Sequence, residues 1–286
     1  MSAKQHNEGQ IIASITVGRR ASFWNFARAD WQAAYYHQQK TLLDTNDVRL
    51  WRSCGLQLPV GGLLYADPTS IKNDPLHCRN IAQLVTHTIL WLVLRVTNYL
   101  ANDSTQTDSE RQTIWEQLTF QLEVWFTNLP ETFRPCAQIR YPLQMRSQRS
   151  GASQTSQLTE VFFSIHHCAA AIQLYHFACI LLLLNKPSAD TTVASRITAY
   201  REKSVEATKH AQAVVGIALG RPHPAVRVEM NLPLYIAGGC LEADEERKVV
   251  VELLRAIQQD TGVSTEGKVR NLIQGWGWAQ EPEGII

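Results

Sequence analysis

Apolar positions recur at intervals of three and four along most of the chain, and short polar breaks separate the runs. From Arg20 to Leu43, Phe23, Phe26, Ala27, Trp31, Ala34 and Tyr35 mark one helical face, which Asp44 and Asn46 end. Asp47 to Trp51 predicts a short second helix, and Leu56 to Pro75, punctuated by Pro59, Gly61-Gly62 and Pro68, predicts a loop. Leu76 to Ala101 reads as a long helix with Ile81, Leu84, Val85, Thr88, Leu92 and Val96 on one side. After a polar break with Asp108 as N-cap, Trp115, Leu118, Leu122, Trp125 and Phe126 predict another helix, stopped at Leu129-Pro130. Residues 144–159, rich in Ser, Gln and Gly, predict a flexible surface loop.

The longest apolar run, Val161 to Leu184, is the stretch the rest is organised around. Its length approaches the ~20 residues that span a bilayer. Three histidines, two cysteines, Gln173 and Ser164 lie inside it, and no basic flank or aromatic belt frames it. A central helix touched by neighbours on most sides is the better reading than a membrane span. Further helices follow. Thr191-Thr192 opens one with Ala207, Ala211, Val214 and Val215 inside, ending between Gly216 and Gly220. Pro222 and Pro224 start the next, with Met230, Leu234, Tyr235 and Ala237. Asp244 caps one with Val249, Val250, Leu253, Leu254 and Ile257, and Ser264 opens the last, with Val269, Leu272, Ile273 and Trp276. No stretch alternates convincingly as a strand. The pattern predicts an all-α fold: about nine helices in one irregular, largely antiparallel domain over 19–278, with a flexible lead-in (1–18) and a tail (279–286).

Composition changes this picture little. With 286 residues, 45% apolar and 19% charged, the chain can bury a sizeable core. A formal net charge of +1 offers no field for nucleic acid or an anionic membrane. The opening MSAKQHNEGQ carries no apolar signal core, and the six cysteines, at 54, 78, 136, 168, 179 and 240, are far apart. Reduced thiols in a cytosolic or nuclear protein are therefore expected.

The candidate chemistry is sparse. His166, His167, Cys168, His176 and Cys179 share the central run, and His176 and Cys179, at i and i+3, could face one ion. Zinc usually needs four ligands, and nothing here has the short knuckle spacing of structural sites. His77-Cys78 is no better, and core histidines with buried thiols are the plainer account. No nucleophile elbow or phosphate loop is present, and Glu245-Glu246 reads as a solvated helix start. Eight tryptophans exceed what cores of this size usually hold, which suits a pocket or a helical interface.

Four stretches carry a family resemblance. Ser22-Phe23-Trp24 through Ala34-Tyr35 with Arg52-Ser53-Cys54-Gly55-Leu56 is one, and Trp115 to Leu118 with Trp125 to Pro135 (WFTNLPETFRP) is the second. Tyr175 to Pro187, a helix ending in a leucine run and a proline, is the third. The fourth is the tail: Gly216 to Leu219, Pro233 to Leu241, then Glu246-Arg247 to Gly262 and on to Trp276-Gly277. In these the chain resembles the fungal-specific transcription factor domain, the C-terminal regulatory region of fungal binuclear zinc-cluster transcription factors. The resemblance covers about Arg20 to Gly277 and rests mostly on packing positions.

It implies a non-enzymatic, nuclear regulatory domain acting through other regulatory proteins or self-association, with a small-molecule effector as a further partner. The zinc cluster of that family, six closely spaced cysteines and a basic linker, has no counterpart among the six cysteines here. No cofactor, no membrane contact and no sequence-specific DNA binding are therefore expected of this chain, DNA being reached through a missing or separate module. A fragment, a gene model lacking upstream exons and a stand-alone regulator all fit. From residue type alone, an effector pocket is expected where Trp24, Trp31 and Tyr35 meet the central helix at His167 and His176. A helical metalloprotein or enzyme using the central His/Cys set is the alternative.

Overall fold

The structure is a computed structural model that describes residues 17–56, 75–101, 106–142, 158–187 and 192–278, with the backbone alone for 17 and 75–80. Among the described residues nine α-helices run in order: α1 Val17–His37, α2 Val48–Ser53, α3 Pro75–Leu100, α4 Asp108–Thr127, α5 His166–Leu184, α6 Val193–Leu219, α7 Pro224–Cys240, α8 Asp244–Thr261 and α9 Glu266–Gly275. The fold is all-α, as the periodicity requires. The lead-in before residue 17, the 57–74 loop, residues 143–157 and the tail from 279 lie outside the described residues.

Helix α5 is the centre. Residues 168–174 are buried without interruption, so every face of the helix is covered over those two turns, and Phe177, Ala178, Ile180, Leu181 and Leu182 continue the burial. Ala169, Ala170 and Ala171 keep this surface smooth, letting α3, α6 and α7 pack closely against it. Among the described residues α5 is also the one helix long and apolar enough to cross a membrane, and 72% of its most apolar window is buried inside the protein. Its lone interior amide, Gln173, donates from Nε2 to the Val214 carbonyl on α6 at 3.0 Å.

The long apolar run is not all helix. Thr159–Phe162 is a strand, β2, paired antiparallel with β1, Ala137–Arg140, in register Ala137 to Phe162 and Arg140 to Thr159. The expectation of no strand is thus corrected. Val161, Phe162 and Phe163 are β-branched or aromatic residues that suit an extended backbone, and the helix begins only after Ile165. The loop expected to reach Thr159 ends sooner, since Leu158 is already fully buried. The ribbon crosses the C-terminal half of α6 where Gly216 and Gly220 leave room. A Cβ on either would fall on a carbonyl oxygen of β2, that of Thr159 or of Val161. These glycines, read from sequence as a helix stop, lie within and just after a helix that runs to Leu219.

Helix ends also differ in detail. α1 stops at His37 instead of Leu43, because Gln38 turns left-handed at φ 52° and the buried Asp30 carboxylate accepts from the Leu42 and Leu43 amides, both at 2.9 Å. α4 is capped by Thr107, one residue before Asp108, through a reciprocal box with Glu110. Thr265 replaces Ser264 at the start of α9. Asp244 is the first residue of α8 rather than its cap, with Glu245 and Glu246 in the same turn.

Candidate functional site

The tryptophans lock helix ends to their neighbours. Six indoles donate to backbone carbonyls: Trp24 to Cys54 (3.1 Å), Trp51 to Asp44 (2.9 Å), Trp91 to Thr45 (3.1 Å), Trp115 to Leu182 (2.8 Å), Trp125 to Val85 (3.1 Å) and Trp276 to Gly238 (3.2 Å). Leu182 and Gly238 lie in the last turns of α5 and α7, where carbonyls lack the usual i+4 amide, and Gly238 also accepts from the Leu241 amide at 3.4 Å. Trp24, Trp51 and Trp91 fasten the 38–56 segment, which Asn98 also grips by accepting from the Thr41 amide at 2.7 Å.

The five residues expected at a pocket separate into three places. Trp24 is buried and stacks on His87 of α3, ring centroids 3.8 Å apart and 8° from parallel. His167, exposed at the start of α5, stands close enough to His87 to disfavour its protonation, as does Arg28. Arg28 itself pairs with Glu229 of α7 at 2.9 Å. Burial pushes the His87 imidazole down to about 3, keeping it neutral. Trp31 and Tyr35 do meet α5, but at Phe177, with centroids 5.4 and 6.2 Å away. His176 faces another way and shares a hydrogen bond with His210 of α6, Nδ1 to Nδ1 at 2.8 Å.

Around that pair Tyr175 stacks on Phe126 at 4.4 Å. Burial first, then His210, pushes His176 down to about 3, and burial lowers His210 despite the opposing Glu206 carboxylate. Both rings are neutral, one donating and the other accepting. The thiols are equally quiet: burial pushes Cys168 and Cys179 up to about 12 and Cys240 up to about 11, so none is a thiolate at neutral pH. Among the described residues no three His, Cys, Asp or Glu side chains come together as a metal would require. The side chains of His77 and Cys78 lie outside the described residues. Glu246, expected on a solvated face, is instead buried, and its carboxylate accepts from Gln212 at 2.9 Å.

Two concavities adjoin one another. One, of about 820 Å³, lies between α6, α7, α8 and α9, with Tyr200, Lys203, Arg247 and Trp276 on its walls. The other, of about 810 Å³, lies between α1, α3, α5, α7 and α9, and Tyr35, Tyr36 and Lys268 line it. Leu184, Tyr235, Ile236 and Asn271 belong to both, so the two form one open trough. Tyr35 is the one expected residue of the five on its wall. Sequence reasoning missed the trough because its walls come from seven helices far apart in the chain.

The chain is 33% identical to Transcription activator AMTR1 of Alternaria alternata over 283 aligned positions, covering 90% of its own length. It is similar to a fungal transcription activator. It spans 36% of that relative's length, about a third. No protein-family model matches the chain, and no solved structure matches it.

Proposed function

We propose that this chain is the helical regulatory region of a fungal transcription regulator, a non-enzymatic module that works in the nucleus by contacting other proteins. One observation carries the reading: the similarity to a transcription activator extends over 90% of the chain. The chemistry of the interior supports it. Neutral histidines at His87, His176 and His210 and protonated thiols at Cys168 and Cys179 supply no poised base or nucleophile. In this reading DNA is reached through a separate module, consistent with 27 basic against 26 acidic residues. A small-molecule effector would act by entering the trough at Tyr35, not the buried surroundings of Trp24.

A tethering assay tests the reading. The chain is fused to a heterologous sequence-specific DNA-binding module in yeast, beside a reporter carrying that module's sites. Expression several-fold above or below that of the module alone, at matched protein level, is the expected result. A fusion indistinguishable from the module alone overturns the proposal.

A further inference from the structure

The trough is charged out of proportion to the rest of the molecule. Over the whole chain basic residues exceed acidic by one, giving +1. Among the described residues on the trough walls the cations are Arg196, Lys203, Arg247 and Lys268 and the acid is Glu242; Arg247 is paired with Asp244 at 3.3 Å, so Arg196, Lys203 and Lys268 carry the excess. Lys203 donates to the Lys186 carbonyl, which fixes the ammonium without cancelling its charge. Lys268 lies over the Tyr36 ring at 5.4 Å, which displays its charge on an aromatic surface, while Arg247, over Trp276 at the same distance, is held by Asp244.

Apolar side chains stand exposed along the same rim. Leu184 is 55% exposed, Tyr36 51% and Tyr200 73%. On α6, Val193, Ile197 and Tyr200 recur at i, i+4 and i+7, and all three are exposed beside the trough-lining Arg196 and Lys203. A ridge of that period next to a long groove matches a helix laid into it. An added strand would need a free sheet edge, and the described ribbon, β1 with β2, packs at the opposite, C-terminal half of α6.

We infer that this trough docks an acidic amphipathic helix of a partner protein, apolar face on Leu184, Tyr200 and Tyr235, carboxylates toward Arg196, Lys203 and Lys268. The inference rests on the regulatory reading for its biological meaning, while its physical claim stands on the trough.

The test uses the full chain and a fluorescein-labelled synthetic peptide with Leu at i, i+3, i+4 and i+7 and Glu elsewhere, followed by anisotropy. A second peptide carries Lys in place of every Glu. Saturable binding of the Glu peptide is expected, with affinity falling about tenfold or more in Arg196→Glu/Lys203→Glu and in Tyr200→Ala. Arg196 and Tyr200 lie on the open surface of α6 and Lys203 is half-buried beside them, and unchanged thermal unfolding confirms that the variants are folded. Equal binding of the Lys peptide, or unchanged affinity in both variants, overturns the proposal. So does self-association of the chain that Tyr200→Ala abolishes, which would make the occupant a second copy. Uptake of laurate without the Glu peptide would assign the trough to a small amphiphilic anion and also overturn it. Tethered reporter output from the unaltered chain together with its failure to bind the Glu peptide refutes docking alone and leaves the regulatory reading standing.

Discussion

A buried ring that must stay neutral makes stability depend on pH, and among the described residues His87 and His176 are each pushed down to about 3, chiefly by burial. In the unfolded chain a histidine takes up its proton near the ordinary 6.5. Between that value and 3 the unfolded state therefore binds more protons than the native state. The stabilisation is complete above about pH 6.5 and is lost as pH falls toward 3, at no more than roughly 1.4 kcal/mol per pH unit for each group. Urea midpoints at pH 7.5 and 5 will show lower stability at pH 5. In His87→Phe, which keeps a ring against Trp24, the drop will be smaller. The indoles make a second prediction at this scale. Trp125→Phe keeps most of the apolar surface but removes the donor to the Val85 carbonyl, and a loss of about 1–2 kcal/mol is expected in urea unfolding.

Between elements, the closest approach is that of β2 to α6. At Gly220 an added methyl would strike the Val161 carbonyl, a backbone atom that no rotamer change can move aside. Gly220→Ala should therefore cost about 2 kcal/mol or more, while Gly239→Ala on α7, which meets nothing within 4 Å, should be neutral or stabilise by up to about 1 kcal/mol. Thermal melts of the two variants give opposite signs if the crossing is as described. The same pair of elements shows what was legible in the chain and what was not. The helices were, because each buries a stripe with its own period: Val249, Val250, Leu253, Leu254 and Ile257 announce α8 before any neighbour is known. The ribbon was not, since Thr159–Phe162 is four residues long and runs straight into an apolar helix, leaving no boundary that hydrophobicity alone can mark. The expected pocket failed to converge for a related reason. His176 and Phe177 are sequence neighbours, yet successive residues of a helix point about 100° apart, so Trp31 reaches Phe177 while His176 turns to α6. His210, the partner of His176, sits in a polar stretch of α6 with no pattern to single it out.

At the scale of the whole molecule, charge and burial divide the labour. Most apolar residues of α5 are spent on the core, so recognition falls to the outer rim, where Tyr200 of α6, Lys268 of α9 and Leu184, the last residue of α5, stand. Cations gathered on one trough in a chain of net charge +1 act over roughly a Debye length, about 8 Å at physiological salt, and so favour short-range contacts over a long-range field. A duplex presents phosphates along its full length, and binding it specifically would require cations in a matching track. The chain on its own should therefore retain DNA only weakly, without preference among sequences, with a dissociation constant no tighter than about 10⁻⁵ M at physiological salt. Electrophoretic mobility shift with unrelated duplexes checks this. Specific retention of one duplex, insensitive to Arg196→Glu/Lys203→Glu, would place a DNA-reading surface elsewhere on the chain. Weak retention of all duplexes, lost in that variant, would confine the positive field to the trough and make the phosphate backbone a competitor for the acidic helix.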